Sequence, residues 1–149
     1  MANRMLNLVE TTNHGVVEIL GSFAPNGASA PLPNPLWSGS GAAGQWGQGV
    51  ASITRTAAGV FLVTLSDSWY RLLAQNIEIR PADGAVVANV NAAGIQNTNV
   101  TGAVVNGNPA RSFNVSVSSI GTTPTLADIA AATGALVYFT LWVSKSSVQ

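Results

Sequence analysis

Ala135-Leu-Val-Tyr-Phe-Thr-Leu-Trp-Val-Ser144 is the stretch whose reading decides the fold. Side chains of a strand alternate between two faces. Here Leu136, Tyr138 and Trp142 fall on one face, and Val137, Phe139, Leu141 and Val143 on the other. A strand that is apolar on both faces is central in its sheet and covered on each side. In a small sandwich one sheet face usually meets water, so the second cover is expected from another subunit. The apolar run 135–143 is too short for a membrane helix, which needs about 20 apolar residues. A membrane-spanning barrel is disfavoured because the other strands lack an outward apolar band.

Working back along the chain, Arg111-Ser-Phe-Asn-Val-Ser-Val-Ser118 is a half-buried strand, with Phe113, Val115 and Val117 inward and serines and Asn114 outward. Val50–Thr56 and Val60–Ser66 flank Ala57-Ala58-Gly59, a hairpin loop in which the last position is left-handed and cheapest for glycine. Trp69–Arg80 reads as a long strand with Trp69, Arg71, Leu73, Gln75, Ile77 and Ile79 on one face and Tyr70, Leu72, Ala74, Asn76, Glu78 and Arg80 on the other. Pro81-Ala-Asp-Gly84 and Asn106-Gly107 are turns. Ala85–Val90 and Asn99–Val105 read as weaker strands, and 124–134 as one helical turn or a small-residue loop. Short strands separated by turn signals predict an all-β protein, a jelly-roll-like β-sandwich or barrel.

The first 49 residues differ in kind. Four of the seven prolines fall within 25–35, and five glycines within 38–49. Proline cannot sit in a sheet interior, so a long irregular arm is expected at 24–49. Its Leu36, Trp37 and Trp46 favour contact over disorder, since disordered linkers rarely carry tryptophan. The chain thus divides into an N-terminal segment, 1–49, and a β-body, 50–149.

Only 12 of 149 residues are charged, against roughly 25% in ordinary soluble domains. Asn, Ser and Thr supply 39 residues of uncharged solvation. The remaining deficit predicts a subunit whose surface is partly covered in an assembly. A net charge of zero excludes the basic footprint of a nucleic-acid binder or membrane-surface protein. Without cysteine there is no disulfide framework or thiolate metal site. The first 15 residues lack the apolar core of a signal peptide, so synthesis in a cytoplasm without processing is expected.

The supply of catalytic groups is thin. His14, the one histidine, lies in a polar turn, Thr12-Asn13-His14-Gly15, and reads as a surface residue. Asp67 and Asp83 sit in turns where side-chain capping accounts for them. Glu78 and Arg80 share a strand face and can pair. The glycine-rich 39–49 lacks the phosphate-loop pattern. Neither a metal nor an organic cofactor is expected, and an enzyme is not. Trp37, Trp46, Trp69 and Trp142 could stack on sugars, but core or interface packing is the plainer role. Asn99-Val-Thr and Asn114-Val-Ser match a glycosylation pattern that has no meaning without secretion.

Gly49-Val-Ala-Ser-Ile-Thr-Arg-Thr-Ala-Ala-Gly-Val-Phe-Leu-Val-Thr-Leu-Ser-Asp-Ser-Trp-Tyr-Arg-Leu-Leu73, with the closing Leu141-Trp-Val-Ser-Lys-Ser-Ser147, resembles head decoration (cement) proteins of tailed bacteriophages. The resemblance is one of pattern over residues 49–80 and 135–147, and the arm lies outside it. It implies a sandwich or barrel protein, usually trimeric, on the outer capsid surface where coat subunits meet, with no catalytic residues. The expected partners are then further copies of the chain and the major capsid protein. Leu36, Trp37 and Trp46 of the arm and Leu136, Tyr138, Phe139 and Trp142 of the last strand are the expected trimer or capsid interface. The alternative expectation is a carbohydrate- or receptor-binding β-module of a phage tail or fibre, with its tryptophans facing solvent.

Overall fold

In the computed structural model, residues 15–34, 46–80, 92–119, 125–130 and 134–145 are described. They form eight strands: β1 (Val16–Ala24), β2 (Leu32–Pro33), β3 (Val50–Ala57), β4 (Val60–Leu65), β5 (Arg71–Arg80), β6 (Ala92–Asn99), β7 (Ser112–Ser118) and β8 (Leu136–Ser144). Two antiparallel four-stranded sheets have the orders β2-β1-β8-β5 and β3-β4-β7-β6. They pack face to face, so the protein is a β-sandwich.

β8 lies between β1 and β5, the central place its two apolar faces require. Val137, Phe139, Leu141 and Val143 are at most 2% exposed and point to the opposite sheet. That sheet answers with Phe61, Val63, Phe113, Val115 and Val117, all fully buried. Two aromatic pairs bridge the layers. Phe23 meets Phe61 at 4.7 Å between ring centroids, and Phe113 meets Phe139 edge-on at 5.2 Å. Tilted and edge-to-face rings satisfy the aromatic quadrupole and add to the gain from area burial.

β1 pairs with β8 from Val16↔Ser144 to Phe23↔Val137 and gives Ile19 and Phe23 to the core. Gly21 lies opposite Phe139, and a Cβ there would stand 1.9 Å from the ring. The arm's described part folds back: Leu32–Pro33 pairs with β1, and Pro25 and Pro31 are buried. The irregular arm thus contains one short edge strand.

The β3–β4 hairpin closes as expected, with Gly59 at φ +64°. Two sequence expectations are corrected. β5 starts at Arg71 and carries a bulge between Leu72 and Ala74. The extra residue brings Leu72 onto the core face with Ile77 and Ile79 and leaves Leu73 39% exposed. A strand was expected at Asn99–Val105, but β6 ends at Asn99, and 100–111 is irregular because Asn99 ties that loop to itself. Of the two alternatives for 124–134, the described residues 125–130 take the loop, held to β7 by Ala127 N–H donating to the Val117 carbonyl. The Asn106-Gly107 turn forms with both residues left-handed, φ 52° and 79°, the backbone that Asn-Gly favours. The turn at 81–84 and the strand at 85–90 lie outside the described residues.

Candidate functional site

The outer face of the β2-β1-β8-β5 sheet is the surface on which Leu136, Tyr138 and Trp142 meet. Register places Glu18, Trp142 and Ala74 in one row, Leu20, Thr140 and Asn76 in the next, and Ser22, Tyr138 and Glu78 in a third. Leu136, Tyr138 and Trp142 are half-buried there, and Leu20 is 38% exposed. Serine, threonine and asparagine separate the apolar groups. The face is therefore semi-apolar, with its two ring systems held on a rigid central strand.

Its rim is polar and ordered. Asn34 is fully buried and donates to Ser22 Oγ at 2.9 Å and to the Tyr138 hydroxyl at 3.2 Å. These bonds pin β2 against the sheet and fix the tyrosine's free end. Across the same ring, the Arg80 guanidinium lies 5.2 Å from the centroid, and its Nε donates to Glu78 Oε1 at 3.1 Å. The Glu78–Arg80 pair is largely exposed, so its role is orientation more than stability.

The other expected interface residues are placed as follows. Phe139 is 2% exposed and packs on Phe113 inside the chain, so it belongs to the chain's own core and not to the open face. Trp46 packs partly buried against the same core, and its carbonyl accepts from Ser22 N–H at 2.9 Å. Leu36 and Trp37 lie outside the described residues, as do His14 and Asp83. Trp69 also packs against the core, with its indole N–H buried and unpartnered among the described residues. The described tryptophans therefore do not line up as an open stacking platform. Asp67 is exposed in the bend after β4 and caps nothing among the described residues, while Glu78 lies on the other sheet. Among the described residues, no three His, Asp or Glu side chains gather as a metal site would need.

Two polar clusters gave no local sequence signal. Arg55 on β3 grips Asp128 with two bonds, Nε to Oδ1 at 2.9 Å and a terminal N–H to Oδ2 at 2.6 Å. The Gly59 amide adds a third bond to Oδ1 at 2.9 Å. The Arg55 hydrogen bond, helped by that amide and opposed by partial burial, holds the Asp128 carboxyl below its ordinary range. The Arg55 guanidinium is raised by the same bond. Asn99 is 4% exposed, and its amide donates to the carbonyls of Ala103, Asn108 and Pro109. Its oxygen accepts from the Thr101 amide and hydroxyl. With every bond committed inward, Asn99 cannot serve as a glycan acceptor.

The arrangement as a whole defines a class: a two-layer β-sandwich with a semi-apolar, aromatic-bearing outer face. No known family, curated protein or solved structure matches the chain.

Proposed function

We propose that this chain is a structural virion protein, an outer-capsid decoration protein that assembles as a homotrimer and clamps neighbouring major capsid subunits. The observation that carries the reading is the outer face of β8, where Leu136, Tyr138 and Trp142 stand half-buried beside an exposed Leu20. A chain with 8% charged residues and such a face gains by covering it. Covering it with a second and third copy would bury the aromatic rings, the residue type that anchors interfaces. A trimer that touches several coat subunits turns weak single contacts into avidity and opposes their separation. The resemblance over 49–80 and 135–147 points the same way.

The test begins with light scattering on the isolated protein, where a trimer is expected. Leu20→Lys places a charge on the open face without entering the core. It should leave the circular dichroism spectrum unchanged and shift the mass to that of a monomer. Trp142→Asp should do the same or unfold the protein, since burying an unpaired charge is severely costly. Particles carrying the wild-type protein should outlast stripped particles on heating, because a ligand of the assembled state stabilises it by mass action. A stable wild-type monomer at micromolar concentration, or equal survival of both particle types, overturns the proposal.

A further inference from the structure

A second surface, on neither outer sheet face, has the make-up of a ligand site. A cavity of about 250 Å³ opens where the start of β5 approaches β6 and the loop that follows it. Leu72, Val100 and Val105 give it an apolar wall. Tyr70, 53% exposed, presents its ring at the edge, and Arg71 stands beside it. Asn106 and Asn108 also line it. No carboxylate lines the cavity, and Arg71 enters no ion pair among the described residues.

The walls are fixed before any ligand arrives. Asn99 holds the loop through its five bonds, and Val105 and Asn108 exchange backbone bonds across the Asn106-Gly107 turn. Thr98 donates to Gln75 Oε1 at 3.2 Å and so ties β6 to β5 behind the cavity. The three non-glycine residues with left-handed backbone among the described residues are Asn97, Asn106 and Arg111, on β6 and this loop. Such backbone persists where surrounding bonds over-determine it, as ligand-binding loops require. Among the described residues the side-chain amides of Asn106 and Asn108 enter no hydrogen bond, while that of Asn99 is fully engaged.

We propose that this cavity binds a single carboxylated sugar ring. An aromatic ring at the edge takes the apolar face of a pyranose. Paired amides serve neighbouring hydroxyls, which both donate and accept. An unpaired guanidinium takes a carboxylate through two parallel bonds. The volume falls below the roughly 300–1,000 Å³ of sites for drug-sized ligands, so one ring fits and a longer chain would trail into solvent. The inference is independent of the decoration reading, because it uses none of the residues of the β8 face.

Backbone amide NMR on the ¹⁵N-labelled protein tests it, with methyl glucuronide, methyl glucoside, acetate and inorganic phosphate as probes. Methyl glucuronide should shift Tyr70, Arg71, Asn106 and Asn108 with a Kd of about 1 mM, as expected for so small a ligand. Methyl glucoside should bind about tenfold more weakly, since it lacks the charged hydrogen bond. Arg71→Gln, at an exposed position, should abolish that tenfold preference. Tyr70→Ala should weaken both sugars. Should that variant not fold, the Arg71→Gln comparison decides alone. Absence of shifts at about 20 mM glucuronide, twentyfold over the expected Kd, overturns the proposal. So does a response to acetate or phosphate equal to that of glucuronide, which would mark a plain anion site, and so does an acid preference that survives Arg71→Gln.

Discussion

Gly21 shows how tightly a single position can be set. Its missing side chain is the space Phe139 occupies, and β1 could not lie against β8 at this register with any larger residue there. Gly21→Ala should cost roughly 1–3 kcal/mol or more, the range for overpacking. Urea denaturation would show it as a lower midpoint with an unchanged slope. Asn99 is the polar counterpart. Truncating it takes one bond each from the Ala103, Asn108 and Pro109 carbonyls and removes the acceptor of the Thr101 amide. Asn99→Ala should cost about 1–3 kcal/mol, since several bonds are lost together and each contributes about 1 kcal/mol net. Hydrogen exchange should locate the loosening at 100–111. Neither role was visible beforehand: a glycine in a short run and an asparagine among many differ from their neighbours only through what lies across the sheet or around the loop.

The strands divide by how much of their own pattern they carry. β7 and β8 were legible because strict alternation survives in them: Phe113, Val115 and Val117 are all fully buried, as are the four inward residues of β8. β5 was legible only from Gln75 onward, because a bulge adds one residue and shifts everything before it to the other face. β6, Ala-Ala-Gly-Ile-Gln-Asn-Thr-Asn, has almost no apolar alternation and owes its place to pairing with β7. The 125–130 loop was legible as a loop but not as a clamp, since Arg55 and Asp128 are 73 residues apart. That clamp makes a pH prediction with a definite sign. The folded Asp128 has a depressed pKa, so the stability it contributes is fully present above the unfolded value, about 3.9. It is lost as pH falls from there through the lower folded value. Asp128→Asn should reduce stability at neutral pH and flatten the acid limb below pH ~4. Thermal melts of both proteins across pH 2–7 (the working range around ~3.9) check it, with a larger difference expected at pH 7 than at pH 2.

Over the whole molecule, the pairing of β1 with β8 sets how the body responds to load. Val16 faces Ser144, and the Lys145 amide donates to the Gly15 carbonyl at 2.9 Å. The described body is therefore entered and left at adjacent points on one end. Antiparallel bonds run perpendicular to their strands. Tension between residues 15 and 145 would open the pair like a zip, one bond after another. Tension between residues 15 and 134, at opposite ends of the same pair, would load those bonds together in shear. Single-molecule pulling should give a clearly lower rupture force for the first pair of attachment points than for the second. A sandwich built this way is weak when tugged at residues 15 and 145 and strong when β1 and β8 are dragged lengthwise past each other. Any mechanical duty it performs is best transmitted as shear along these two strands, where the whole ladder shares the load.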